Sequence, residues 1–216
     1  MNKRALVGDG LIAGLSPKVL LDIGAGNGES IVRFRGLWPL VKIASFEPRP
    51  VALKNLRTTA HEAGGDCLIY PYALGEKNEF CQMFEFLKHD TGSSVLEPTE
   101  TLKNTRTWAK THRKIKVETK RLDDISIPFP EDPFIKVDVQ GFETQVVKGG
   151  MKTFSGAIGC VIEVCNEPLY ENQGTFEEIN GLLKSCGLTY VGSSRRVMRK
   201  KIFSWSDELW LREKVA

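Results

Sequence analysis

Three glycines and an acidic residue give this sequence its clearest chemical pattern. The apolar run 19–23 contains Asp22 and is followed by Gly24, Gly26 and Gly28 at alternate positions. Glycines after a strand let the backbone adopt positive φ, and they let a ligand lie directly against the main chain. The pattern therefore predicts a strand, a tight turn and a helix that together bind a nucleotide-like cofactor.

The spacing of the glycines distinguishes between classes of cofactor. A dinucleotide fingerprint needs its third glycine where this chain has Glu29, and Gly28 comes one residue earlier. Asp22 precedes the first glycine, where a carboxylate would repel a pyrophosphate but would suit an ammonium group. We therefore expect a cofactor with an amino group and no phosphates. A purely structural strand-to-helix turn is the alternative explanation.

Two more acidic residues are expected at the ends of strands. Glu47 ends the strand predicted within 41–50 and follows Gly24 by about 20 residues, the offset at which a carboxylate meets ribose hydroxyls. Asp138 ends the apolar strand predicted at 134–137. Ligands of open parallel sheets bind beyond the carboxyl ends of the strands, so Asp138 is predicted to face the same crevice as the glycine turn.

The elements that would position these residues alternate between strands and helices. Further strands are predicted at 67–72, 158–164, 188–191 and 209–211, with helices from the glycine turn to Pro39, at 50–61, at 142–150 and at 175–183, and a hairpin over 73–87. Alternation of this kind is typical of a parallel α/β sheet. By position after the third strand, Ala73 and Leu74 could frame an adenine with their backbone.

Length and composition limit the class of protein. A chain of 216 residues suits one domain, 1–216, with a lead-in at 1–18. Apolar residues at 41% and charged residues at 26% exclude a disordered or fibrous chain, and a net charge of +3 does not point to nucleic acid or a membrane as partner. Five cysteines without a C-x-x-C pair predict a reducing, cytoplasmic location. No signal peptide or membrane span is expected.

A polar segment, 87–114, is predicted to be a substrate loop or lid because structureless loops of that length are usually functional. His89, Ser93 and Ser94 are its candidates for chemistry, although capping or solvated roles are the alternative for each. The acidic pair Asp123 and Asp124 is predicted to cap a turn. It precedes its strand, so a metal site is disfavoured.

Seven segments along the chain together resemble the FkbM family of methyltransferases. They are Asp22-x-Gly-x-Gly-x-Gly, Phe46-Glu47-Pro48, Ala73-Leu74-Gly75, Gly92-Ser93-Ser94, Leu122-Asp123-Asp124, Lys136-Val137-Asp138-Val139-Gln140-Gly141-Phe142-Glu143 and Val147-Lys148-Gly149-Gly150. The resemblance runs from about residue 19 to 212. It implies a Rossmann-like three-layer sandwich with a mostly parallel seven-stranded sheet. It also implies S-adenosylmethionine as donor and O-methylation of a hydroxyl on a small molecule or sugar.

The resemblance also implies which residues form the site. Cofactor contacts are expected from Asp22, Gly24, Ala25, Gly26, Asn27, Gly28, Glu47, Ala73, Leu74 and Asp138. Asp138 would lie at the reaction centre. Gln140 is a departure, because an acidic residue is frequent there in the family.

A hydroxyl acceptor benefits from a general base, and several acids are candidates. Asp138 is expected to be that base, with Glu143 and Glu163 as catalytic neighbours and His89 as an outside candidate. Glu163 is equally consistent with a role in anchoring a loop. A divalent metal in place of a base is disfavoured.

Two other classes of function remain open from the sequence. A methyltransferase of nucleic acid would gain weak support from the basic run 195–201, which is more simply a solvated hairpin. The box typical of amino-methylating DNA enzymes is poorly imitated by Asn-Glu-Pro-Leu-Tyr at 166–170. A catalytically silent module that keeps cofactor for structure is the other alternative.

Overall fold

The structure is a computed structural model that describes residues 9–87, 90–129, 132–193, 197–199 and 203–213. Its strands are β1 (Val19–Ile23), β2 (Lys42–Phe46), β3 (Cys67–Tyr70), β4 (Ala73–Leu74), β5 (Glu79–Phe86), β6 (His112–Lys120), β7 (Pro133–Val137), β8 (Gly159–Cys165), β9 (Leu188–Ser193), β10 (Val197–Arg199) and β11 (Phe203–Arg212). Its helices are α1 (Asp9–Ala13), α2 (Glu29–Leu37), α3 (Pro50–Ala63), α4 (Glu100–Thr105), α5 (Glu143–Gly149), α6 (Met151–Gly156) and α7 (Phe176–Ser185). Short 3₁₀ helices lie at Asp90–Gly92, Thr107–Lys110 and Leu122–Asp124. None of the helices in these ranges combines the length and hydropathy needed to cross a bilayer.

The described residues form a large sheet in the order β10-β11-β8-β7-β1-β2-β3. The run from β8 to β3 is parallel, and β11 is antiparallel to β8. Since β8 covers one edge of β11, β9 and β10 share its other edge. Eight strands therefore occupy seven positions, and the predicted mostly parallel, seven-stranded arrangement is confirmed.

The sheet has a hydrophobic core on each face because side chains alternate along a strand. Leu20, Ile43 and Phe134 pack with α2 and α3, whereas Leu21 and Ile135 pack with the opposite core. All five residues of β1 are buried, as expected for a central parallel strand. Burying each large side chain contributes about 1.5 to 3 kcal/mol, so the centre of the sheet is a rigid base for its carboxyl edge.

The lead-in packs beside this sheet. In α1, Ile12 is buried in the same core as Leu20 and Trp38. The indole Nε1 of Trp38 donates to the carbonyl oxygen of Ile12 at 3.2 Å, which satisfies the buried indole. Pro39 follows α2 and ends it, as the sequence predicts.

The predicted hairpin over 73–87 is wrong. Strand β6 lies between β4 and β5, is parallel to β4 and antiparallel to β5, and the three form a separate small sheet. Strand β4 has only two residues and pairs with β6 rather than with β5. Strand β5 therefore pairs with β6, which comes later in the chain. The intervening segment, part of the predicted loop 87–114, contains α4 and two 3₁₀ helices as well as the start of β6.

The two sheets meet through a glycine contact. A Cβ atom on Gly149, at the end of α5, would lie 1.9 Å from the carbonyl oxygen of Gly75, which follows β4. A Cβ atom on Gly150 would lie 3.0 Å from the side chain of Leu122. Gly149 is therefore required by close packing of α5 against the residue that follows β4, and Gly150 is required by packing against the 3₁₀ helix at Leu122–Asp124.

Asp123 has a structural role in the same region. Its carboxylate accepts hydrogen bonds from the main-chain N–H groups of Lys152 and Thr153 at 3.0 and 2.9 Å, and from Thr153 Oγ1 at 2.8 Å. The two N–H groups lie in the first turn of α6, where the helix itself supplies no acceptor. The Asp123 carboxylate thus caps the start of a helix distant in sequence, rather than the turn that the sequence predicts.

Candidate functional site

Two cavities meet at the carboxyl edge of the large sheet. The first has a volume of about 180 Å³ and is bordered by the glycine turn, the end of β2 and β4. The second has a volume of about 380 Å³ and lies over the end of β8. Thr91, Asp138 and Gln140 line both. Residues at the end of β7 therefore stand between the two spaces.

The three glycines of the turn have different neighbours. All have positive φ, at 75°, 56° and 96° for Gly24, Gly26 and Gly28. A Cβ on Gly24 would lie 1.9 Å from the carbonyl oxygen of Asp138, and one on Gly28 would lie 3.0 Å from the side chain of Thr59. Among the described residues, the nearest atom to a Cβ placed on Gly26 would be Glu29 Oε2, at 3.8 Å. Gly26 thus presents bare main chain to the first cavity.

Of the other residues of the turn, some line the first cavity and others contact α3. Ala25 lines the first cavity, and its N–H and that of Gly24 donate to the carbonyl oxygen of Phe46 at 3.0 Å. Asn27 and Gly28 do not line it. The carbonyl oxygen of Asn27 accepts from Thr59 Oγ1 at 2.8 Å, so this half of the turn is directed toward α3.

Glu47 is buried in the first cavity, with 3% of its surface exposed. Its Oε2 accepts from the main-chain N–H of Gly26 at 2.9 Å. Its Oε1 accepts from the main-chain N–H and the Nε of Arg49, both at 2.9 Å, and Arg49 Nη2 is 3.4 Å from Oε2. These contacts account for the roughly four acceptor sites that a carboxylate offers.

The ammonium group that the sequence analysis expects beside Asp22 belongs to the protein. Asp22 is fully buried, does not line the first cavity, and has its Oδ1 3.4 Å from Lys136 Nζ. Parallel pairing of β1 with β7 places these two residues opposite each other. Lys136 Nζ also donates to the carbonyl oxygen of Gly24 at 2.9 Å, and Lys136 lines the cavity.

Burial and neighbouring charges have opposite effects on the pKa values of Asp22 and Lys136. Burial raises the pKa of Asp22, and the neighbouring ammonium of Lys136 only partly offsets it. Burial would lower the pKa of Lys136, but the carboxylates of Asp22 and Asp138 outweigh it, so that pKa is raised. Lys136 is therefore held as a cation beneath the glycine turn.

The wall opposite the glycine turn is mainly apolar. Ala73 and Leu74, where the sequence predicts adenine contacts, line the first cavity together with Met83. Phe46 lines it from the β2 side and stacks on Tyr70 with ring centroids 4.8 Å apart. A flat apolar ring would find a matching surface between these residues.

Asp138 and Glu163 are joined through one side chain. Gln140 Nε2 donates to Asp138 Oδ1 at 2.7 Å and to Glu163 Oε2 at 2.8 Å. The other oxygen of Asp138, Oδ2, lies 3.8 Å from Lys136 Nζ. Burial raises the pKa of Glu163 well above its ordinary value, and the charge of Asp138 adds to this. The two acids therefore share one hydrogen-bond donor.

The Glu143 side chain stabilises the turn that follows β7. It is buried, and its Oε1 accepts from the main-chain N–H groups of Val139 and Gly141 at 3.2 and 3.0 Å. Burial raises its pKa to about 7, although these N–H groups act in the opposite direction. It lines the second cavity, yet its hydrogen bonds hold the turn that carries Asp138.

The second cavity has walls that the sequence analysis did not identify. Trp108, Tyr170 and Trp205 line it, and Arg106 stands among them. Tyr170 donates to the carbonyl oxygen of Gly92 at 2.6 Å. These residues come from distant segments, and the only local signal was aromatic side chains within largely polar stretches.

The serines of the 87–114 segment form hydrogen bonds to the main chain of residues outside it. Ser93 Oγ accepts from the N–H of Phe86 at 3.1 Å, and Ser94 Oγ donates to the carbonyl oxygen of Gln140 at 2.7 Å. His89 lies outside the described residues, as does most of the basic run 195–201, of which 197–199 form β10. Across the described ranges, no three His, Cys, Asp or Glu side chains are grouped as a metal site requires.

The sequence of this chain is similar to those of known methyltransferases. The family model described as "Methyltransferase FkbM domain" matches residues 22–190. The 2-O-methyltransferase NoeI of Sinorhizobium fredii is 29% identical over 175 residues, which cover 77% of this chain and 71% of that protein.

Two solved structures share the fold. The magnesium protoporphyrin IX methyltransferase ChlM of Synechocystis, with bound SAM, has a TM-score of 0.53 at 10% identity, covering 94% of this chain and 74% of its own. The precorrin-6y C5,15-methyltransferase of Geobacter metallireducens has a TM-score of 0.51 at 12% identity, covering 94% and 84%. At such low identity these likenesses concern the fold alone, and they confirm the predicted Rossmann-like class.

Proposed function

The chain belongs to the FkbM methyltransferase family, and we propose that it transfers a methyl group from S-adenosylmethionine to a hydroxyl group of a small molecule or sugar. The observation that carries this proposal is the position of Asp138 between two cavities. The first suits the donor and the second suits the acceptor. A carboxylate on their shared wall is placed to meet the acceptor hydroxyl.

The first cavity has features that fit S-adenosylmethionine. Bare main chain at Gly26 leaves space that any side chain would fill. The Glu47 carboxylate is the acceptor for ribose hydroxyls, and Ala73 and Leu74 border the expected adenine position. At about 180 Å³ the space is below the 300–1,000 Å³ usual for ligand sites, and we propose that the Arg49 side chain moves away from Glu47 when the donor binds.

The bound donor would supply a methyl group on a positively charged sulfur, a leaving group that departs neutral. The protein's part is to align the acceptor and take its proton. Asp138 is the proposed general base, and Lys136 Nζ lies 3.8 Å from its Oδ2. Glu163 is its proposed partner through Gln140, and Glu143 orders the turn beneath them.

The second cavity is the proposed acceptor site. Its volume of about 380 Å³ lies within the usual range for a small-molecule site. Aromatic side chains offer flat apolar surface, and the carboxylates of Asp138 and Glu163 accept hydrogen bonds from hydroxyl groups. The relative named as a 2-O-methyltransferase supports oxygen, rather than nitrogen, as the methylated atom.

Transfer of an isotope-labelled methyl group tests the proposal. The protein is incubated with labelled S-adenosylmethionine and separate pools of sugars, hydroxylated metabolites, RNA and DNA. We expect label in a sugar or hydroxylated metabolite, in a linkage that resists acid as a methyl ether does. Label in RNA or DNA, or no transfer to any pool by protein that binds the donor, would contradict it.

A further inference from the structure

Gln140 stands on the wall between the two cavities in an uncommon backbone conformation. Its φ is 57°, in the left-handed region that residues other than glycine seldom adopt. Its carbonyl oxygen accepts from Ser94 Oγ at 2.7 Å. A conformation of this kind persists only where the surroundings determine it, and such residues concentrate at functional sites.

The side-chain amide of Gln140 uses both of its N–H groups on acids. One donates to Asp138 and the other to Glu163, which lie at the ends of neighbouring parallel strands. The amide oxygen faces the hydroxyl of Tyr170 at 3.3 Å. An amide turned the other way would place its N–H groups against the Tyr170 O–H and its oxygen against the carboxylate of Asp138, so the chemistry of the neighbours favours this orientation.

We propose that Gln140 is a positioning residue that holds Asp138 on the wall between the two cavities by tying its carboxylate to that of Glu163. The inference rests on the proposed function for the role of Asp138 as base. The amide brings the two acids together by donating one N–H group to each. It also keeps the Asp138 side chain, 35% exposed, from turning freely toward solvent.

Charged groups on several elements surround Asp138 and Glu163. Lys136 faces Asp138 from β7, with Asp22 behind it on β1. Glu163 is faced by Asp207 on β11 and by Glu143 on α5, and both add to the effect of burial in raising its pKa. Glu163 therefore retains its proton at pH values where an exposed glutamate is ionised.

Tyr170 completes these surroundings. Its own pKa is raised well above the ordinary value by burial and by the charges of Glu163, Glu143 and Asp138, so it stays a neutral hydroxyl beside the amide oxygen. Of the groups in contact with Glu163, the N–H of Gln140 favours the ionised carboxylate. Removing that donor should therefore delay the loss of the Glu163 proton to higher pH.

Carboxyl carbon NMR of the protein alone tests this, because it needs no acceptor and no methyl transfer. The titration of Glu163 is followed in ¹³C-labelled wild type and in Gln140→Met, which keeps side-chain length but has no N–H donor. We expect its midpoint to move up by about one pH unit in the variant. Gln173→Met is the matched control, since that amide donates to the carbonyl oxygens of Cys165 and Glu167. It should leave the midpoint unchanged.

A second measurement uses the wild type only. The ¹⁵N and ¹H signals of the Gln140 side-chain amide should shift with the same midpoint as Glu163. The proposal would be overturned by amide signals that do not shift as Glu163 titrates. Equal Glu163 midpoints in wild type and Gln140→Met would overturn it as well. Failure of methyl transfer would not affect either result, so the two proposals are tested separately.

Discussion

The main-chain N–H of Gly26 donates to Glu47 Oε2 at 2.9 Å and so links the glycine turn to the end of β2. The two sequence features that predicted a cofactor are therefore parts of one hydrogen-bonded unit. Groups that the protein's own hydrogen bonds hold in place have less freedom to lose on binding a ligand.

Replacing Glu47 with Gln should weaken binding of S-adenosylmethionine by about 1 to 3 kcal/mol, the range for hydrogen bonds to charged groups. An amide offers one acceptor oxygen, whereas the carboxylate offers two. Calorimetric titration gives the affinity, and denaturant unfolding checks the effect of losing the contact with Arg49. Glu62→Gln, an exposed change on α3, is the control. Equal affinity in folded Glu47→Gln would remove Glu47 from the ligand contacts.

Replacing Gly26 with Val should abolish binding of S-adenosylmethionine, because the side chain would enter the first cavity. Val at φ 56° is also strained, and Gly64→Val controls for this. Gly64 has φ 68° and no atom within 4 Å of its would-be Cβ, but it lies at the end of α3. Equilibrium dialysis with labelled ligand should show loss of binding only in Gly26→Val. Loss of binding in both would indicate an effect of strain.

Asp138→Asn should reduce methyl transfer to a hydroxyl acceptor by about 10² to 10⁴ while leaving most of the donor affinity. Asn keeps the shape and one acceptor oxygen but cannot take up a proton. The measurement is kcat at saturating donor together with the donor Kd, using the acceptor found by the labelling experiment. Asp66→Asn, an exposed change, should match wild type. A loss confined to donor affinity would assign Asp138 to donor binding instead.

Glu143→Gln should change how stability depends on pH. In the wild type, a pKa raised from 4.5 to about 7 means that the stability from the bound proton is fully present below pH 4.5. It is lost as the pH rises through about 7, and the total is up to about 3 kcal/mol. Gln can still accept from the N–H groups of Val139 and Gly141 and has no proton to lose.

Urea unfolding at pH 5 and pH 8 measures this difference. The stability of Glu143→Gln relative to wild type should rise between the two pH values. Glu177→Gln, an exposed change on α7, should show no such rise. A constant difference between Glu143→Gln and wild type would mean that Glu143 titrates as an ordinary glutamate.

Local patterns predicted much of the fold and part of the site. Gly26, Glu47 and Asp138 each follow a strand, and parallel strands bring their ends to one edge, so the sequence suffices to place them near one cavity. Their contact with a ligand stays a prediction. The end of α2 before Pro39 was also predictable from the local sequence, because proline lacks the N–H that a helix needs.

Pairing between distant segments was not predictable in the same way. Lys136 meets Asp22 only because β7 pairs with β1, and nothing near either residue specifies that neighbour. The same holds for β5 and β6, which are separated by a long segment that was interpreted as a loop. The aromatic walls formed by Trp108, Tyr170 and Trp205 likewise require the final packing.

The main-chain contact between Gly149 and Gly75 has a mechanical consequence. A would-be Cβ 1.9 Å from a carbonyl oxygen means that no side chain fits between the main chains of Gly149 and Gly75, so there is no soft layer to compress at this point. Met83 on the small sheet and Phe142 at the start of α5 face the same cavity across this joint. We therefore expect the two walls to move together. Space for a ligand as large as the proposed donor should then come from movement of side chains such as Arg49, rather than from separation of the two sheets.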